Sequence, residues 1–97
     1  MPQEGSIFVR LGVPLTQEND AIRHFAGLGF NIERTADPVD GPLWDGSPFA
    51  WVRLEVSREL TRCTDDEIDR VWHDLGAAVK ACSIPIRHDS GGATFAG

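Results

Sequence analysis

Residues 7–35, IFVRLGVPLTQENDAIRHFAGLGFNIERT, place a strand, a helix and a second strand in one run. Apolar side chains occupy every second position from Ile7 to Val13, which predicts a strand with one buried face. Pro14 is expected to end this strand, because proline cannot donate a backbone hydrogen bond. The run therefore begins with a strand whose two faces differ in polarity.

The helix of this run has a predictable start and end. Thr16 is placed to cap its first turn, and apolar residues then recur at helical spacing as far as Leu28. Gly29 suits the left-handed position that follows a helix. Phe30 and Ile32 alternate with polar neighbours and predict the second strand.

Residues 48–88 repeat the order of strand, helix and strand. Thr64 and Glu67 have the spacing of a capping box at the start of the second helix. Apolar spacing continues beyond Gly76, which predicts a helix that extends to about residue 81. The third strand of the chain alternates most regularly, with one set of apolar residues on a single face: Ala50, Val52, Leu54 and Val56.

The last strand is predicted at Ile84 and Ile86. Pro85 lies between them and cannot donate to a ladder of hydrogen bonds, so this strand is expected at a sheet edge. Residues 1–5 and 89–97 are expected to be loose ends of a single domain that spans residues 1–97.

This pattern predicts an α+β fold, a ferredoxin-like βαββαβ two-layer sandwich. It has a four-stranded antiparallel sheet with two helices on one face. Right-handed crossovers place the first and third strands at the centre, with the last strand at an edge beside the first. The opposite face of the sheet carries no helix in this arrangement.

The composition excludes several classes of function. The 97 residues carry a net charge of −6, which argues against nucleic-acid binding and against anionic membranes. No apolar run is long enough to cross a membrane. The N-terminal residues show no secretion signal and the chain has two cysteines, so a cytoplasmic protein is expected.

No cofactor or metal site is predicted. The three histidines show no ligand spacing on a helix, and no Cys-x-x-Cys motif occurs. His24 and His73 are expected on solvated helix surfaces. Cys63 and Cys82 flank the second helix, whose ends would lie roughly 27 Å apart at about 1.5 Å per residue, which excludes a disulfide between them.

Alternation assigns aromatic and charged side chains to the helix-free face of the sheet. A large aromatic ring buries about 150–250 Å² in a contact, so exposed rings on this face call for a partner. Trp44, in the long loop over residues 37–48, is expected to fold over a sheet edge or to join that contact. The candidate binding residues are Phe8, Arg10, Trp51, Arg53, Glu55 and Trp44.

Four explanations fit such a face. The first is a protein contact, in which two copies of the chain stack there or the face docks on another protein. A small anionic ligand binds between Arg10 and Arg53 beside Trp51. Single-stranded RNA stacks on the aromatic rings, which the negative charge disfavours. The loop or the tail of the chain covers the face.

Two families resemble parts of the chain. Residues 7–35 and 65–79 resemble the vicinal-oxygen-chelate (glyoxalase and bleomycin-resistance) superfamily, which implies a small enzyme or ligand-sequestering protein with a pocket over the same face. The segment that contains Gly29-Phe30-Asn31-Ile32 is also similar to ACT regulatory modules. That resemblance implies a βαββαβ domain that dimerises and binds small effectors such as amino acids.

These observations predict a small, cytoplasmic, non-catalytic module. The module is expected to self-associate as a homodimer, or to dock on a protein partner, through the helix-free face. One version of this hypothesis adds a small anionic ligand bound on the same face. The alternative is a vicinal-oxygen-chelate-like enzyme or sequestering protein with its pocket over that face.

Overall fold

The structure is a computed structural model that describes residues 4–35 and 50–96. Its elements follow the predicted order, with a short 3₁₀ turn before the first helix. They are β1 (Glu4–Pro14), the 3₁₀ turn (Leu15–Gln17), α1 (Glu18–Gly27), β2 (Asn31–Arg34), β3 (Trp51–Leu60), α2 (Asp65–Ala81) and β4 (Arg87–Ala96).

The four strands form one antiparallel sheet in the order β2-β3-β1-β4. β1 and β3 lie at the centre, and β4 lies at an edge beside β1, as the crossover rule predicts. Both helices contribute buried residues to the same core as β1 and β3, so they cover one face of the sheet. The predicted ferredoxin-like sandwich is confirmed.

The core lies between the helices and one face of the two central strands. Val9 pairs with Val56, Leu11 with Leu54 and Val13 with Val52, and all six side chains are buried. Burying one such side chain stabilises the fold by roughly 1.5–3 kcal/mol. The helices close the core from above with Ala21, Phe25, Val71, Leu75 and Ala78.

The last strand is shifted from its predicted place. Residues 84–86 lie before β4, and residues 89–96 of the tail predicted to be loose belong to this strand. Residues 4 and 5, also predicted to be loose, belong to β1. The edge position is confirmed, but the argument from Pro85 was wrong because Pro85 is outside the strand. The physical reason is the length of β1, whose backbone from Glu4 onward pairs with β4 and needs hydrogen-bond partners.

The start of α1 also differs from the sequence prediction. Thr16 lies in the 3₁₀ turn, and the residue at the N-cap position is Gln17, which makes no side-chain capping bond. Arg34 of β2 donates two hydrogen bonds to the Glu18 carboxylate in the first turn. These bonds lower the pKa of Glu18 from its ordinary value and attach the helix to the sheet edge.

The start of α2 confirms Thr64 as the capping residue, whereas the Glu67 carboxylate binds the turn before the helix. Thr64 Oγ1 accepts a hydrogen bond from the Glu67 N–H at 3.2 Å. The Glu67 carboxylate accepts from the backbone N–H groups of Thr61, Arg62 and Cys63 at 2.9–3.0 Å. Cys63 has a left-handed backbone with φ of 55°. Glu67 thus holds the turn that leads into the helix.

The end of α2 is held by a residue of α1. The helix continues through Gly76 to Ala81, as predicted. The Cys82 N–H bonds Val79 O rather than Ala78 O, and His24 Nε2 lies 2.9 Å from Ala78 O. A carbonyl in the last turn has no partner within the helix, so Nε2–H donates to it. The prediction of a solvated His24 was wrong.

We expect Glu67→Gln to lower the melting temperature at neutral pH, because the amide binds the three N–H groups less strongly than a carboxylate. Those N–H groups, that of Arg62 foremost, lower the pKa of Glu67 below its ordinary 4.5. A lowered pKa stabilises the fold above the unfolded value and loses that effect as pH falls through the folded value. The gap between variant and wild type should therefore shrink below about pH 4.5. A gap of constant size down to pH 2 would contradict this role.

We expect His24→Phe to lower the free energy of unfolding by about 1–2 kcal/mol, because it removes the donor to a half-buried carbonyl. Urea unfolding measures the loss. His73→Phe is the matched control, since His73 is exposed on α2 and should change little. Equal losses in the two variants would show that the bond from His24 to Ala78 contributes nothing.

Candidate functional site

The helix-free side of the sheet, here called the open face, follows from the strand register. Residues directly opposite in an antiparallel pair share a face. Phe8 pairs with Ser57 and Arg10 with Glu55, so these four side chains lie opposite to the core. By the same register, the open face also contains Ser6, Gly12, Asn31, Glu33, Arg53, Glu59, Arg87, Ser90 and Gly92.

Phe8, Arg10 and Glu55 form one connected group on this face. Arg10 Nε donates to Glu55 Oε1 at 3.2 Å, and the Arg10 guanidinium lies 5.1 Å from the centre of the Phe8 ring. The Arg10 and Glu55 side chains are 49% and 23% exposed. A guanidinium near an aromatic ring is attracted to it electrostatically. Three of the predicted site residues are thus brought together in an accessible position.

The Phe8 ring lies against the backbone of the neighbouring strand. Gly92 of β4 is opposite Phe8, and a Cβ added at Gly92 would stand 3.3 Å from Phe8 Cζ. A larger residue there would push the ring away. Glycine at this position therefore lets the half-buried ring spread over β4.

Trp51 has the predicted orientation but not the predicted exposure. Its register partner is Pro14, and it does not belong to the core beneath the helices. However, only 3% of Trp51 is exposed, and the Arg87 guanidinium lies 5.7 Å from its ring centre. The expectation of an exposed ring at Trp51 was wrong: the ring is buried, with Arg87 of the last strand beside it.

The end of the open face near Trp51 is buried, and the rest is accessible. Gly12 and Pro14 are buried with Trp51, and the half-buried Arg53 lies opposite Gly12. Arg10 is directed to Glu55 instead of forming a pair of guanidinium groups with Arg53. Trp44, the sixth predicted residue, lies outside the residues that the structure describes.

Charges are separated along one row of the open face, the row that crosses the strands through Arg10. Glu33 of β2 lies directly opposite Glu55 of β3, and Arg10 of β1 lies on the other side of Glu55. Like charges opposite each other destabilise a sheet, which the adjacent guanidinium offsets. The row that runs across the strands is therefore acidic on β2 and β3 and basic on β1.

The helix side has features that the sequence reasoning missed. The Arg58 guanidinium lies 3.9 Å from the Phe30 ring centre and donates to Leu28 O and to Asp74. Alternation from Val56 would have placed Arg58 on this side. These residues and three alanines line a hollow of ≈ 370 Å³: Leu28, Phe30, Arg58, Asp74, Ala77, Ala78 and Ala81.

A second hollow lies beside α2. Trp72 is 38% exposed, and its ring lies over Gly91 of β4, where an added Cβ would stand 3.4 Å away. The hollow measures ≈ 260 Å³ and is lined by Val9, Trp72, Leu75, Gly76, Val79 and Lys80.

The described residues contain neither a cluster of metal ligands nor a helix that could span a membrane. Within residues 4–35 and 50–96, no three His, Cys, Asp or Glu side chains are grouped closely enough to hold a metal ion. In the same described part of the chain, neither helix has the length and apolar character required to span a membrane.

Comparisons with known proteins give little beyond this description. No protein-family model matches the chain, and no curated protein matches it. Among solved structures, the chain is similar to one described as "De novo designed protein Foldit4", with 9% identity and a TM-score of 0.38. The similarity covers 90% of this chain and 97% of the designed one. At these values the similarity carries no argument about function.

We expect Trp51→Ala to lower the free energy of unfolding by about 3–5 kcal/mol, because it empties the space of a large buried side chain. Equilibrium unfolding in guanidinium chloride measures the loss of free energy. Trp51→Phe, which keeps an aromatic ring, is the control and should cost less. A loss below about 1 kcal/mol for Trp51→Ala would show that its burial contributes little.

Proposed function

We propose that this chain is a small, non-catalytic interaction module that self-associates or docks on a protein partner through the accessible part of its open face. The observation that carries the proposal is the connected group of Phe8, Arg10 and Glu55 on a face without helices. Phe8 supplies the apolar area, Arg10 supplies directional donors, and Glu55 fixes the position of Arg10.

Rigid presentation favours binding by these residues. The Phe8 ring is held between the backbone at Gly92 and the Arg10 guanidinium. Immobilising a flexible side chain costs about 0.5–1.5 kcal/mol on association. Because the folded chain already restricts the Phe8 ring, binding has less of this cost to overcome. Aromatic residues and arginine are enriched among the residues that dominate protein interfaces.

The charges favour a protein over the other ligand classes. Nucleic acid requires a basic footprint, whereas Glu33 and Glu55 add negative charge to this face of a chain with net charge −6. A small anion bound at Arg10 would lie beside the Glu55 carboxylate, which repels it. Among the described residues, the two apolar hollows lie on the helix side, whereas the alternative of an enzyme or sequestering protein places its pocket over the open face.

The cytoplasmic location belongs to the proposal. It is supported by the low cysteine content, two residues in 97, because small secreted domains are usually dense in disulfides. Persistent disulfides are typical of oxidising compartments.

Photocrosslinking tests the proposal without knowledge of the partner. Benzoylphenylalanine replaces Phe8 in one variant and Trp72 in a matched control, an exposed aromatic residue on the helix side. We expect irradiation in the native cell to give one discrete adduct from position 8 and none from position 72. The mass of that adduct identifies a second copy or another protein.

Two results would contradict the proposal. One is the absence of an adduct at position 8 in a variant that melts like the wild type. The other is a stronger adduct at position 72, which would move the binding surface to the helix side.

A further inference from the structure

We infer that the occupant of the open face is a second copy of this chain, related by a two-fold axis. The axis lies in the plane between the two stacked faces, runs parallel to the strands, and passes midway between β1 and β3. This inference rests on the proposed function and names its partner. It follows from the distribution of charge across the two central strands.

A two-fold axis in this direction exchanges the central strands of the two copies. β1 of one copy then lies over β3 of the other. Arg10 of β1 is paired with Glu55 of β3, so Arg10 faces the partner's Glu55. By symmetry, Glu55 faces the partner's Arg10. The four charges alternate in sign around the axis, which favours association in this orientation.

The charge pattern favours this axis over a two-fold axis that lies in the same plane but runs perpendicular to the strands. An axis perpendicular to the strands, through the row of Arg10 and Glu55, would place Arg10 against the partner's Arg10 and Glu55 against the partner's Glu55. Like charges in contact across an interface cost several kcal/mol. The observed row of charges therefore favours the parallel axis.

Side-chain sizes agree with the same arrangement. The exchange of β1 and β3 places Phe8 over the partner's Ser57, because these residues share one row. Stacked sheets lie about 10 Å apart, so a large side chain on one sheet needs a small one opposite. Ser57 supplies that space, and the two Phe8 rings then lie on either side of the axis.

The ion pair selects the orientation, and the buried area supplies the affinity. Arg10 and Glu55 keep part of their hydration in one copy, with side chains 49% and 23% exposed. Removing that water costs free energy that the attraction between them does not always recover. A second opposite charge from the partner offsets the loss for both groups.

The edge strand β4 provides the main competing interface. Its residues from Ser90 to Ala96 contain no charge and no proline, the features that usually protect an edge from pairing. β2, the other edge of the described sheet, is short and charged. A dimer formed through β4 would be weakened by Ala93→Lys, because Ala93 is exposed on this edge.

The test mixes two variants that should each dissociate. Arg10→Glu makes both central positions of the row, 10 and 55, acidic, and Glu55→Arg makes both of them basic. We expect the wild type to sediment as a dimer and each variant alone to dimerise at least about tenfold more weakly. An equimolar mixture of the two variants should form a dimer again, since the two acidic side chains of one variant then face the two basic side chains of the other.

Two controls keep the comparison specific. Arg23→Glu makes the same charge change on α1, where the Arg23 side chain is 80% exposed, and it should leave the dimer unchanged. Ala93→Lys should also leave it unchanged. Melting curves of all variants check that each one folds before its sedimentation is interpreted.

Distinct results overturn the inference and the proposed function. A monomeric wild type, a mixture that stays monomeric, or dissociation by Ala93→Lys overturns the second copy in this orientation. An adduct at position 8 with a different protein overturns the inference and leaves the docking function intact. The absence of any adduct at position 8 overturns the proposed function itself.

Discussion

The pairing of β1 with β3 is the constraint on which the rest of the structure depends. It sets Val9 opposite Val56 and Leu11 opposite Leu54, which forms the centre of the core. Because side chains alternate along a strand, the same register places Arg10 opposite Glu55 on the other face. A shift by one residue would move every apolar side chain of one strand to the solvent side. Core stability and the geometry of the open face are therefore coupled.

The helices depend on this sheet and on each other at their ends. Glu18 in the first turn of α1 accepts from Arg34 of β2, and the last turn of α2 accepts a hydrogen bond from His24 of α1. Backbone groups at helix ends have no partner within the helix. Contacts between elements far apart in the chain satisfy or neutralise these ends, so helix placement belongs to the tertiary structure.

The open face shows how much of a candidate site alternation can predict. Phe8, Arg10 and Glu55 could be placed together from the sequence because each lies within a regular strand and the two strands pair centrally. The exposed fraction of Trp51 could not, because residues distant in the chain set it. One neighbour of the ring, Arg87, belongs to the strand whose position was predicted wrongly. The division of the face into a buried end and an accessible part is therefore a property of the tertiary structure.

The amino-acid sequence, together with the right-handedness of crossover connections, determined the central position of β1 and β3. The sequence by itself determined the type and order of the elements and the polarity of each sheet face. These properties arise from spacing over a few residues, at a period of two or of 3.6. Only the tertiary structure decided that a strand rich in glycine and alanine pairs with the long edge of β1, that Trp51 is buried, and that His24 caps a distant helix. Each of these depends on backbone and side-chain groups that lie far apart in the chain and find their hydrogen-bond and packing partners only after it folds.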